Sequence, residues 1–133
     1  MALNLETIAR NVDAERQGEW IESVAWPEDG VQYKLRSMRS PEFRRANAEF
    51  IRRRDKKFGD EVPDPEWIDR EFALLIANHI LMGWSGITPE YSTDVARNAM
   101  TDKRFSELHD DIVACARKVG RKSGEDQAED LGN

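Results

Sequence analysis

The chain has 133 residues, of which 35% are charged, with a formal net charge of −6 and one cysteine. That length suits one domain with a modest core, and a lone Cys115 excludes an intrachain disulfide framework. No apolar run approaches the roughly 18 residues of a bilayer-spanning helix, and MALNLETIARNVDAERQ lacks the basic start and apolar centre of a secretory signal. The expectation is a soluble protein of a reducing compartment.

Residues 3–16 read weakly as a helix, with Leu5, Ile8 and Val12 roughly aligned, and Gly18 breaks the pattern. Residues 20–26 and 31–37 then flank Pro27-Glu28-Asp29-Gly30, which is good turn chemistry. Val31, Tyr33 and Leu35 alternate with Gln32, Lys34 and Arg36, the period of a half-buried strand. A β-hairpin over about 20–37 is expected, packed on the helices that follow because a lone hairpin is marginal.

Ser40-Pro41-Glu42 carries a capping hydroxyl, a first-turn proline and an acid at the positive end of the helix dipole. Phe43, Ala46, Phe50 and Phe58 share one face of the helix it starts, and Arg54 lies near that face with its stem on the core. After a loop from Gly59 to Pro63, Asp64-Pro65-Glu66 repeats the start signal, and a helix is expected from Trp67 to Met82. Its second half is apolar nearly all round, which marks a central helix, and Gly83 reads as its stop. A short helix from Thr93 to Met100 follows, capped by Ser92. A last helix runs from Asp102 to Val119, with Phe105, Leu108, Ile112, Cys115, Ala116 and Val119 in one stripe. The fold class is mainly α (α+β): about four helices with an N-terminal hairpin in a single domain, 1–119. The polar, acidic segment 120–133 reads as a disordered tail.

Residues 44–57 (RRANAEFIRRRDKK) hold seven basic and two acidic side chains, a local charge of +5 that leaves −11 on the rest. A solvated helix face explains them, since cations complement a helix C-terminus; Arg52, Arg53 and Lys56 are nevertheless candidate contacts for an acidic partner. Nucleic acid is disfavoured by the net charge. His79 and His109 sit on apolar faces and read as structural. His109-Asp110-Asp111 is no ligand cluster, because adjacent helical side chains diverge. Cys115 lies on a core stripe, where a buried thiol is commoner than a nucleophile. With no phosphate loop, paired CxxC or HExxH, no enzyme, metal or cofactor is expected. Trp20, Trp26, Trp67 and Trp84 fill core and rim on the plain reading. On the sharper one, Trp67 and Trp84 are anchors of an aromatic surface for a partner helix.

Gly83-Trp84-Ser85-Gly86-Ile87 is read as a corner: the helix stops, Trp84 folds back over the apolar cluster, Gly86 turns the backbone, and Tyr91 closes the other side. In order, a hairpin ending in KLRS, a Ser-Pro-Glu-Phe-Arg-Arg helix start, an acidic loop, an apolar helix running into ILMGWSGI, a Tyr-Ser cap, a short helix with Ala96 and Ala99, and a closing helix resemble the small tail assembly chaperones of long-tailed bacteriophages and prophages. The resemblance spans about residues 18–119, with its specific part from Ala77 to Met100. It implies a non-enzymatic protein of the host bacterial cytoplasm that binds the tape measure protein, helps recruit tail tube subunits and leaves before the virion matures. It also implies a longer form of the protein made by ribosomal frameshifting, and self-association is compatible with it. Trp84, Ile87 and Tyr91 at the corner rim join Trp67, Arg52, Arg53 and Lys56 as expected partner contacts. The alternatives are a phage structural or adaptor protein, and a nucleic-acid-associated regulator using the 44–57 helix.

Overall fold

The computed structural model describes residues 2–121; the expected disordered tail lies almost wholly outside them. In chain order the elements are α1 (Leu5–Ile8), α2 (Val12–Gln17), β1 (Glu19–Glu22), β2 (Gln32–Leu35), α3 (Pro41–Phe58), α4 (Pro65–His79), β3 (Leu81–Ser85), α5 (Thr93–Met100) and α6 (Ser106–Ala116). The mainly α architecture with an N-terminal hairpin is present. It is built around a three-stranded antiparallel sheet in the order β1-β2-β3.

The central strand is the one that alternation marked. Tyr33 and Leu35 are fully buried and Val31 nearly so, and burying each such side chain contributes about 1.5–3 kcal/mol. Tyr33 lies opposite Ile21 of β1 and Trp84 of β3. The turn between β1 and β2 is longer than a tight hairpin, with a 3₁₀ turn at Pro27–Asp29 and Gly30 at φ +72°. The helix starts are as expected. Ser40 Oγ accepts from Phe43 N–H, Asp64 Oδ1 from Glu66 N–H, and Ser92 Oγ from Val95 N–H, each satisfying a donor the helix cannot.

Three expectations are corrected. The central helix ends at His79, not Met82, and Gly83 is inside a strand rather than a helix stop. Arg36 N–H donates to Ile80 C=O at 2.9 Å, and β3 then pairs along β2, with Lys34 opposite Gly83. A helix continued to Met82 would leave that side of β2 unpaired, and backbone groups demand partners. A short apolar run has no period that separates the two outcomes. A bulge after Lys34 leaves Met82 as the extra residue and puts Leu81 and Trp84 both among the buried residues. Second, the N-terminal helix breaks into α1 and α2, each capped by an asparagine, Asn4 and Asn11. Leu5, Ile8 and Val12 are exposed rather than packed. Third, α6 starts at Ser106 after a 3₁₀ turn and ends at Ala116. Phe105 falls off the stripe into solvent beneath the Arg104 guanidinium, while Ile112, Cys115, Ala116 and Val119 are buried.

The remaining core comes from Phe43 and Phe50 of α3, Leu75, Ile76 and Ala77 of α4, and Ala96 and Met100 of α5. The segment before β1 is strapped onto the turn that follows α6. Arg10 Nε donates to the buried Glu15 Oε2 at 2.6 Å, and Asn11 N–H to Gly120 C=O at 2.8 Å. Gly120 has φ +76°, and a Cβ there would collide with Glu15.

Candidate partner-binding site

The corner after α4 is built by β3 and the turn that follows it. Trp84 is 8% exposed, and its ring meets Tyr91 edge to face at 5.5 Å. The indole Nε1–H donates to Pro89 C=O at 3.1 Å, and the Tyr91 hydroxyl donates to Leu81 C=O at 3.2 Å. Both aromatic polar tips therefore have partners, as buried Trp and Tyr require. Gly86 at φ +80° carries the turn past the β1–β2 connection, where a Cβ would stand 2.6 Å from the Gly30 carbonyl oxygen. Thr88–Pro89 is cis. Ile87 and Tyr91 are half-buried and form the rim.

The other four candidate residues belong to a different pair of elements. Trp67 opens α4 and is held in the α3–α4 seam, stacked on Phe50 at 6.0 Å and edge-on to Phe58 at 5.2 Å. Arg53 reaches across the same seam to Glu71 at 2.8 Å. Arg52 pairs with Glu49 along α3, and Lys56 is exposed. The structure thus brings Trp84, Ile87 and Tyr91 together, and Trp67 together with Arg53, as two groups. Trp20 lies on the sheet, half exposed, with its ring edge 3.7 Å from where a Gly83 Cβ would be.

One polar cluster went unread in the sequence. Asp111, on α6 and 5% exposed, accepts four hydrogen bonds from oxygen and nitrogen donors and a longer one from the Cys115 thiol at 4.0 Å. The Ser23 and Tyr33 hydroxyls donate to Oδ2 at 2.6 Å each; the Val24 and Ala25 N–H groups donate to Oδ1 at 3.1 and 3.0 Å. Ser23 Oγ in turn accepts from Trp26 N–H at 2.8 Å. Burial pushes against the charged form of Asp111, but the bonds from Ser23, Tyr33 and the two backbone groups outweigh it and hold the carboxyl below the usual range. Burial and the neighbouring carboxylate push the Tyr33 hydroxyl far up. Burial also raises the Cys115 thiol, whose Sγ lies 3.5 Å from Glu22 C=O. This carboxylate pins the start of the β1–β2 connection to α6, with its lone pairs taken up by the fold. Its neighbours in sequence, His109 and Asp110, point elsewhere: His109 packs edge-on against Phe72 at 6.0 Å, and Asp110 is exposed. His79 is shifted down by burial and by Arg36.

Among the described residues no group of three His, Cys, Asp or Glu side chains is placed to hold a metal ion, and no helix is long and apolar enough to cross a membrane. No curated protein and no solved structure matches the chain. A family model does match, over residues 38–133. That span begins after β2 and takes in α3, α4, the corner and the Asp111 helix, more than half of the sequence, so the chain belongs to the YdaY prophage protein family.

Proposed function

We propose that this prophage protein is a tail assembly chaperone. It binds the tape measure protein, helps recruit tail tube subunits around it and is absent from the finished virion. In this role the protein is not an enzyme and works in the host cytoplasm. The observation that carries the reading is the corner at residues 80–91. The ILMGWSGI segment, inside the Ala77–Met100 stretch where the resemblance to tail chaperones is specific, forms an edge strand and a tight turn. They bury Trp84 and leave Ile87 and Tyr91 half-buried at a rim. A pre-formed aromatic rim of this kind suits an apolar helix face, for which rigid side chains cost little ordering entropy. Several copies along one long client would hold by avidity rather than by single-site affinity.

Co-expression with the tape measure protein of the same prophage, followed by affinity capture, tests this. Capture should succeed with the native chain and fail with Ile87→Asp, whose side chain is at the rim. Equal capture by both, or none by either, refutes the corner as the client site. Expression of the gene with its native downstream DNA adds a second readout, since a minor longer product sharing this N-terminus would mark a frameshifted form. A stable presence in purified virions would instead favour the adaptor reading.

A further inference from the structure

The α3 helix has an outer face that nothing among the described residues covers. Arg44, Arg45, Ala48, Ile51, Arg52 and Lys56 are all exposed and at about 100° per residue form one stripe, which also holds two exposed acids, Glu49 and Asp55. Ile51 stands at one edge of the stripe and Ala48 inside it, and four cations against two acids, one of them Glu49 paired with Arg52, leave the face net basic. Ile51 is 37% exposed, well placed to be a knob.

A groove of about 560 Å³ lies on the far side of the neighbouring helix, between α4 and the α5–α6 junction. Phe72, Ala73 and Met100 line it, and Glu66, Asp69, Asp102 and Asp110 stand around it. Two cations, Arg70 and Lys103, are also present, and Lys103 is engaged with Glu66 at 3.2 Å. Lys103 and Arg104 neutralise Glu66 and Asp102, so Asp69 and Asp110 against Arg70 leave the rim weakly acidic around an apolar floor, opposite in sign to the α3 stripe.

The two surfaces cannot meet within one molecule. Trp67 and Glu71 face α3, as their contacts with Phe50, Phe58 and Arg53 show. Asp69 and Phe72 line the groove and project from roughly the opposite side of α4 by helical angle. We propose that the protein self-associates head to tail, with the basic outer face of α3 in one copy seated in the acidic-rimmed groove of the next. Different patches meeting in this way make a heterologous contact, which propagates into chains unless a rotation closes it into a ring. This inference stands independently of the chaperone reading. The flanking contacts are exposed ion pairs, so the association is weak and sensitive to salt.

Sedimentation velocity on the full chain tests the proposal, over roughly 10 µM to 1 mM, where weak contacts register. The weight-average mass should rise with concentration, and raising the salt from about 0.05 M to 0.5 M should weaken association about tenfold or more. Asp69→Lys with Asp110→Lys disables the groove; Arg45→Glu with Arg52→Glu disables the helix face. Circular dichroism melts confirm that both variants fold, and each variant alone should be monomeric. Their equimolar mixture retains one complementary pair of surfaces and should form a dimer that grows no further. A native chain that stays monomeric throughout overturns the proposal. So does a disabled variant that still self-associates, or a mixture that stays monomeric.

Discussion

Asp111→Asn tests the internal architecture most directly. The carboxylate accepts two hydroxyl donors at 2.6 Å and two backbone N–H donors at 3.0–3.1 Å. The isosteric amide keeps one oxygen for the two N–H groups and turns an NH₂ towards Ser23 and Tyr33, whose hydroxyls must rotate to accept. Hydrogen bonds to charged groups contribute about 1.5–3 kcal/mol and neutral ones about 0.5–1.5, so the variant should lose roughly 2–4 kcal/mol. Against a total stability of about 5–15 kcal/mol the fold should survive and the change be easily measured. Urea denaturation followed by tryptophan fluorescence reads it. The acid dependence provides a second, independent readout. The folded-state pKa of Asp111 is depressed, so its contribution is full above the ordinary Asp value of about 3.9 and is lost as pH falls through the folded value. The gap between native and variant chains should therefore be constant from neutral pH to about 5 and shrink below about 4. Tyr33→Phe should be strongly non-additive with Asp111→Asn, because the two residues share a bond. A loss within about 0.5 kcal/mol, the scatter of ordinary surface substitutions, would refute the pin.

Trp84→Ala should cost about 3–5 kcal/mol, as large-to-small core changes do; an unchanged melting temperature in a thermal scan would sink the buried-corner account. Gly86→Ala forces a side chain into φ +80° and against the Gly30 carbonyl. It should lower stability by more than about 1 kcal/mol in the same scan, whereas a neutral result would show that the turn relaxes freely. Cys115 is fully buried with its thiol pKa raised, so a chromogenic disulfide reagent should leave it unmodified in buffer and label it fully in denaturing urea. Fast labelling of the native chain would mean that the α6–β1 contact opens readily.

Chain-local signals were the legible part of this molecule. Ser40-Pro41-Glu42, Asp64-Pro65-Glu66 and Ser92 start helices because each cap satisfies an N–H within three residues. β2 is legible because alternation at Val31, Tyr33 and Leu35 needs only one buried face. The α3 and α6 stripes follow from helical spacing, up to the ends, where Phe105 slips into solvent. The candidate site was legible only in part. The corner at Trp84, Gly86 and Tyr91 was foreseen as a corner, but as the end of a helix rather than the end of a strand.

What the tertiary structure alone decided lies in partners far apart in the chain. Leu81–Ser85 is a strand because β2, some fifty positions earlier, offers an unpaired row of N–H and C=O groups. Asp111 stands three residues after Leu108 and four before Cys115, at the edge of the α6 stripe, but spacing alone does not show that a carboxylate there is buried. It is buried because Ser23, Val24, Ala25 and Tyr33, nearly eighty or more positions away, supply the donors that make a desolvated carboxylate tolerable. Periodicity reports which face of an element is apolar. Which polar group enters the core depends on donors brought together by folding, and the linear chain does not display that juxtaposition.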